Sequence, residues 1–250
     1  MPILQIDKKL IECKLIVFDK DGTLIEQKPV LLALGQARFQ SLAQLVSTEV
    51  AEEWAKTVGI NISKKEIDYR GPLSFAPTRE ELLIAATIIR QCEDEEWSHA
   101  KELAREAYER ADKAMKPPYG AVLIKGVEKT LQKLKADGFK LAVATTDSHQ
   151  RARRALDYLG ISMCFDVIIG DDDVENGKPA PDMILKACEL TECLPSDTVM
   201  VGDSLGDVLM GRNAHVKACV AVLTGSTSQG RLEAAADVVL PSVAELHVKK

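Results

Sequence analysis

Long apolar runs are missing from this 250-residue sequence, as are paired cysteines, an excess of basic residues and internal repeats. Stretches such as Leu15 to Phe18 fall far short of the about 20 residues that cross a bilayer, so no membrane-spanning helix and no membrane partner are expected. Met1 to Lys9 is mixed and already charged, without the apolar segment and small-residue cleavage site of a secretory signal. The six cysteines, Cys13, Cys92, Cys164, Cys188, Cys193 and Cys219, include no CxxC pair. Their scatter fits reduced thiols in a cytoplasmic protein and speaks against a disulfide frame or a zinc site. Thirty-two basic against thirty-eight acidic residues leave a net charge of −6, which offers no footing for nucleic acid. Any anionic ligand must therefore be held by local groups.

What is present is ordinary globular material, 46% apolar and 28% charged, in a chain long enough for a main domain with a smaller insert. The C-terminal half alternates short β-branched runs with helical patterns, the sequence form of a parallel sheet flanked by helices. Strands are predicted at Lys14 to Phe18, Lys140 to Ala144, Phe165 to Ile169, Thr198 to Val201, Val216 to Val222 and Asp237 to Leu240. Val127, Leu131 and Leu134 have helical spacing from Val127 to Ala136, with Gly138 placed to end the helix. Further helices are predicted after Asp147, Pro181 and Ser204. The fold class is α/β, a Rossmann-like three-layer core.

The stretch from Lys28 reads differently, with long helical patterns and no convincing strand. Leu31 to Val58 is a run of good helix formers ending near Gly59; Thr78 to Glu81 has capping-box form; Glu93 to Met115 makes a third helix. The acidic cluster Glu93 to Glu96 suits that helix's N-terminus. Glu26 to Pro29 and Lys116 to Tyr119 read as linkers. The predicted organisation is an α/β core over residues 1–27 and 118–250, interrupted by a helical insert over 28–117.

Ligands of open parallel sheets bind outside the carboxyl ends of the strands, and four such ends carry reactive groups. Asp19-Lys20-Asp21-Gly22-Thr23 follows Phe18, and Thr145-Thr146-Asp147 follows Ala144. Asp171-Asp172-Asp173, leading to Lys178, follows Ile169, and Asp203-Ser204-Leu205-Gly206-Asp207 lies just after Val201. Carboxylates from separate strand ends repel one another unless a cation sits among them, and an oxygen-rich site of this kind suits Mg²⁺, with Asp19 and Asp203 as direct ligands. One carboxylate can then attack phosphorus, and Asp21 can reach the leaving oxygen as acid and base. Lys178 and the Thr145 hydroxyl supply positive charge and a donor for the transferring oxygens.

Four motifs in order carry a resemblance to the haloacid dehalogenase superfamily of hydrolases, in its phosphoglycolate phosphatase-like branch. Phe18-Asp19-Lys20-Asp21-Gly22-Thr23-Leu24 resembles the nucleophile motif and Thr145 the second motif. Gly177-Lys178-Pro179-Ala180-Pro181-Asp182 resembles the lysine motif, and Val201-Gly202-Asp203-Ser204 with Asp207 the acidic metal motif. The resemblance implies an aspartyl-phosphate on Asp19, Mg²⁺ as cofactor, and a small phosphorylated metabolite as substrate, phosphoglycolate first. It also implies the backbone carbonyl of Asp21 as a metal ligand, support of the metal from Asp207, and a helical cap that closes over the site and chooses the substrate. Gly206 departs from the family, where Asn is frequent, so any side-chain role there is lost.

Asp21, two residues after the nucleophile, favours a phosphatase or phosphomutase over dehalogenation. The segment Ile25 to Lys28 lacks the His that the family's sugar phosphomutases tend to carry there. A sugar phosphomutase and a non-catalytic Mg²⁺- and ligand-binding regulator are the alternatives. Singly, Thr145 also reads as a helix cap, Asp171 to Asp173 as an exposed capping turn, and Asp207 as a capping residue. Among the four histidines only His149 falls near the site. Lys64, Lys65, Arg70 and Arg79 read as solvated charge, or as a grip on a second anionic group. Oligomeric state is left open.

Overall fold

The computed structural model describes residues 1–115 and 120–249, and these form two compact units: Met1–Gln27 with Ala121–Lys250, and Lys28–Gly120. Lys116 to Tyr119, read as the second linker, lies outside the described residues. In chain order the elements begin with β1 (Ile3–Ile6), β2 (Lys9–Glu12) and β3 (Leu15–Phe18). Next come α1 (Gln27–Leu42), α2 (Thr48–Val58), β4 (Ile60–Asn61), β5 (Glu66–Ile67), α3 (Thr78–Glu93) and α4 (Trp97–Ala114). The chain continues with α5 (Val127–Ala136), β6 (Lys140–Ala144), α6 (His149–Tyr158), β7 (Val167–Ile169) and α7 (Asp182–Thr191). It closes with β8 (Thr198–Gly202), α8 (Leu205–Asn213), β9 (Ala218–Val222), α9 (Gln229–Glu233), β10 (Val238–Leu240) and β11 (Leu246–Val248). No helix among the described residues is long and apolar enough to cross a membrane.

The first unit is a six-stranded, all-parallel sheet of order β10-β9-β8-β3-β6-β7, a Rossmann-like α/β arrangement. Its strands are apolar on both faces because both faces are covered. Leu15, Val17, Ala142, Ala144 and Met200 pack with Met183, Ile184 and Ala187 of α7 and Met210 of α8. The alternate residues Ile16, Phe18, Leu141, Val143 and Val201 are buried as well. The predicted strands all form, several of them shorter at one end.

A second, antiparallel sheet of order β11-β1-β2 is absent from the sequence reading. Leu4 and Ile6 are fully buried while Gln5 between them is not, the period-2 alternation of a half-buried strand. Three apolar residues among charged ones are too short a pattern to stand out. Their partner Leu246 comes from the far end of the chain.

In the second unit the expected single run from Leu31 to Val58 divides into α1 and α2. Ser47 takes an extended conformation at φ −62°, ψ 156°, and its hydroxyl accepts from Val50 N, so the break is an N-cap that the helix-forming composition around it masked. Gly59 ends α2 in the left-handed region at φ +88°, as expected. Three corrections follow. The insert contains a strand pair, β4 and β5, and α4 begins at Trp97 because Asp94, at φ +53°, terminates α3 first. The capping box at Thr78 to Glu81 does not form: no side chain caps α3, and the Glu81 carboxylate turns inward to Arg38 Nη1 at 2.5 Å. Arg38 is fully buried and stacks on the Tyr108 ring 4.4 Å from its centroid, while Trp54 Nε1 donates to Tyr108 Oη at 3.0 Å. The Arg38 charge, in this low-dielectric setting, outcompeted the local cap.

Candidate active site

The register of the parallel sheet places three loops side by side. Phe18 stands opposite Val143 of β6 and Val201 of β8, so the chain leaves the sheet at Asp19, Thr145 and Asp203 on one edge. Asp19 N still donates to Val201 O at 2.9 Å, and Thr145 N to Ile169 O at 3.0 Å, which extends the sheet's order into the loops.

Asp19, Asp203 and Asp207 are buried, and one carboxylate oxygen from each lies within 4.8 Å of the others. Lys178, from the loop before α7, donates from Nζ to Asp19 Oδ1 at 2.5 Å and to Asp207 Oδ1 at 2.7 Å. Burial pushes the Asp19 carboxyl up to about 6, opposed by the Lys178 ammonium. Burial raises Asp203 well above the carboxylate range, and the charges of Asp19 and Asp207 add to it. Burial alone would lower Lys178, but the two carboxylates it touches hold it above the usual lysine value. Three carboxylates against one ammonium leave an excess of negative charge in a buried place. All three offer hard oxygen donors, so the set fits a divalent cation of the Mg²⁺ type.

Glycines let the loops approach this closely. A Cβ on Gly22, which sits at φ +90°, would come within 2.6 Å of Asp203 Oδ2, and one on Gly225 would also overlap the Asp203 side chain. Thr23 Oγ1 donates to Asp203 Oδ1 at 3.1 Å, and Thr224 Oγ1 to Gly22 O at 2.6 Å. Thr224 and Gly225 follow β9, a strand end that the motif-based reading passed over. The turn-rich segment Thr224-Gly225-Ser226-Thr227 just after the run Ala218–Val222 was the available signal.

Asp207 caps α8 and also pairs with Lys178. Its Oδ2 accepts from Ser204 N at 3.0 Å and Ser204 Oγ at 2.6 Å in a reciprocal cap of α8, while Oδ1 holds Lys178. Thr145 does not cap α6. Ser148 does, accepting from Arg151 N, and Thr145 Oγ1 instead accepts from Asp147 N at 3.2 Å. Asp172 and Asp173 form a capping turn on β7's loop: Asp172 Oδ1 accepts from His149 N, and Asp173 Oδ2 accepts from Gly170 N and meets His149 Nδ1, each contact within 2.8 Å. His149 is thereby engaged by that turn. In the helical unit Arg70 lies exposed and pairs with Asp68 at 2.8 Å.

Asp21 stands outside the three-carboxylate cluster. Its Oδ2 is taken by Lys20 Nζ, while its Oδ1 is buried and meets no hydrogen-bonding partner among the described residues. Lys20, which the sequence reading left without a role, is 1% exposed and also pairs with Asp147 Oδ2 at 3.1 Å.

The family model of haloacid dehalogenase-like hydrolases matches residues 13–215, a span that holds every one of these carboxylates and Lys178. The chain belongs to this family. It is 30% identical over 204 residues to a phosphoglycolate phosphatase of Psychrobacter arcticus, covering 81% of this chain and 80% of the relative. To pyrophosphatase PpaX of Halalkalibacterium halodurans it is 43% identical over 95 residues, covering 38% of this chain and only 44% of the relative. Among solved structures, a haloacid dehalogenase phosphatase of Thermococcus onnurineus superposes with a TM-score of 0.58 at 24% identity, covering 93% of this chain and 95% of that one, a likeness of fold.

Proposed function

We propose that this haloacid dehalogenase-like hydrolase is a Mg²⁺-dependent phosphatase that passes the phosphoryl group of a small phosphate monoester to Asp19 and then to water. The observation that carries the reading is the convergence of Asp19, Asp203 and Asp207 within 4.8 Å, with Lys178 bound to two of them. The carboxylates of Asp19 and Asp203, with the Asp21 carbonyl and Asp207 in support, would hold Mg²⁺, which would supply charge neutralisation for the phosphoryl oxygens.

Asp19 forms a bond to phosphorus as the ester oxygen leaves. Asp21, in its protonated form, gives its proton to that oxygen, then takes a proton from the water that cleaves the acyl phosphate, which restores Asp19 and releases phosphate. Lys178 places fixed positive charge beside the nucleophile. The Thr145 hydroxyl, accepting from Asp147 N, keeps its own hydrogen to donate to a phosphoryl oxygen. Substrate choice is assigned to the helical insert, and phosphoglycolate is the first candidate because the match to the Psychrobacter relative extends over most of both chains. The stronger but shorter match to a pyrophosphatase favours a phosphoanhydride as the second reading.

The test is phosphate release from a panel of phosphoglycolate, sugar phosphates, nucleotides and pyrophosphate, with Mg²⁺ and with chelator. A sugar phosphate should also be followed for isomerisation. The expected result is release from one compound far above the rest, abolished by chelator and brought to background in Asp19→Asn. Unchanged release in Asp19→Asn would overturn the mechanism.

A further inference from the structure

We infer that Lys20 is a positioning residue for the acid/base step, holding the Asp21 carboxyl in one orientation. This deepens the phosphatase reading and rests on it. The position between the two aspartates has no evident reason to be charged, and a side chain of this length is seldom buried without a partner. Lys20 is nonetheless 1% exposed, with Nζ between Asp21 Oδ2 and Asp147 Oδ2. Two carboxylates around one ammonium offset its loss of hydration.

The geometry reaches further than one ion pair. Asp147 is itself fixed from two sides, since its Oδ1 accepts from Arg151 of α6 and its backbone N donates to Thr145 Oγ1. A carboxyl otherwise turns freely about its last side-chain torsion and exchanges its two oxygens. With Oδ2 tied to Lys20, and Lys20 tied through Asp147 to α6, Asp21 keeps one orientation, and among the described residues its Oδ1 has no hydrogen-bonding partner. Lys20 touches neither phosphorus nor the leaving oxygen in this scheme. Its effect passes entirely through Asp21, so it belongs to the step that needs a proton and to no other.

That restriction makes the test. An alkyl phosphate must have its leaving oxygen protonated, whereas p-nitrophenyl phosphate releases a stabilised phenolate that departs without help. The quantity to compare is kcat/KM, which covers events up to departure of the alcohol or phenol. Wild type, Lys20→Met and Asp21→Asn are assayed on both esters, the alkyl ester being the compound the panel selects. Lys20→Met is expected to lose about 10²-fold on the alkyl ester, within the usual range for general acid catalysis, and only a few-fold on the aryl ester. Turnover of the aryl ester also reports that the variant is folded. Equal losses on both esters in Lys20→Met, with Asp21→Asn showing the leaving-group dependence, would make Lys20 a structural residue and overturn the inference while the phosphatase reading stands. No leaving-group dependence in Asp21→Asn would overturn the inference together with the acid role of Asp21, while Asp19→Asn still decides the phosphatase reading. Should Lys20→Met fail to fold, Lys20→Gln keeps a donor at the position without the charge, and the same ratio decides: a larger loss on the alkyl ester supports the inference, and equal losses sink it.

Discussion

At the scale of single residues, Asp203 shows how a site can be built against stability. Its carboxylate lies between Gly22 and Gly225, close to Asp19 and Asp207, and its pKa is raised above the ordinary value of 3.8 by burial and by those two charges. An acid whose folded pKa exceeds its unfolded one binds protons more tightly when folded. The cost of keeping it charged is therefore full above the folded pKa and vanishes below the unfolded one. In chelator at neutral pH, Asp203→Asn should unfold at higher urea than wild type, because the substitution removes the buried charge, while losing phosphate release. The advantage should shrink as the pH falls towards 4, the unfolded carboxyl range. A variant no more stable than wild type at neutral pH would mean that Lys178 already compensates the cluster. Asp19, Lys178 and Asp203 were legible in sequence because each follows or precedes a readable element in a motif. Lys20 and Asp147 were not, because their pairing spans two loops and only the register of β3 against β6 brings them together.

At the scale of elements, the helical unit rests on a buried charge that its own sequence conceals. Arg38 lies on α1, Glu81 on α3 and Tyr108 on α4, so one guanidinium ties three helices. Removing one partner leaves the other charge buried and alone. Glu81→Ala should destabilise the helical unit by about 3–5 kcal/mol, measured by urea unfolding through tryptophan fluorescence. Replacing the pair together, Arg38→Met with Glu81→Leu, should recover most of that loss, since an apolar pair avoids the desolvation cost. A loss below about 1 kcal/mol in the single variant would show that water reaches Arg38. The pattern Thr78 to Glu81 reads locally as a cap, and only the fold reveals that Glu81 has a stronger partner.

For the whole molecule, binding to the folded state alone raises stability by mass action. Calorimetry with Mg²⁺ at a hundredfold excess over its Kd should stabilise wild type by about 2.7 kcal/mol, and Asp203→Asn by little or nothing. Both tryptophans, Trp54 and Trp97, lie in the helical unit, so their fluorescence follows that unit, whereas the carboxylates of the proposed metal site lie in the α/β unit. If the units unfold separately, only the calorimetric transition of the α/β unit should move. An equal rise in Asp203→Asn would place the ion elsewhere.

Sequence by itself determined the α/β class, the strands of the parallel sheet and the loops that carry charge, because buried parallel strands are written as continuous apolar runs and the residues after them stand out as polar. It also identified the family motifs, whose residues lie close together along the chain. Tertiary structure alone decided the rest. The three-stranded sheet joins Ile3–Ile6 to Leu246–Val248 across nearly the full chain, Arg38 draws Glu81 out of its local cap, and Lys20 meets Asp147 across the sheet edge. Each is a pairing between residues distant in sequence, and its energy comes from leaving water together, a quantity that local spacing does not encode.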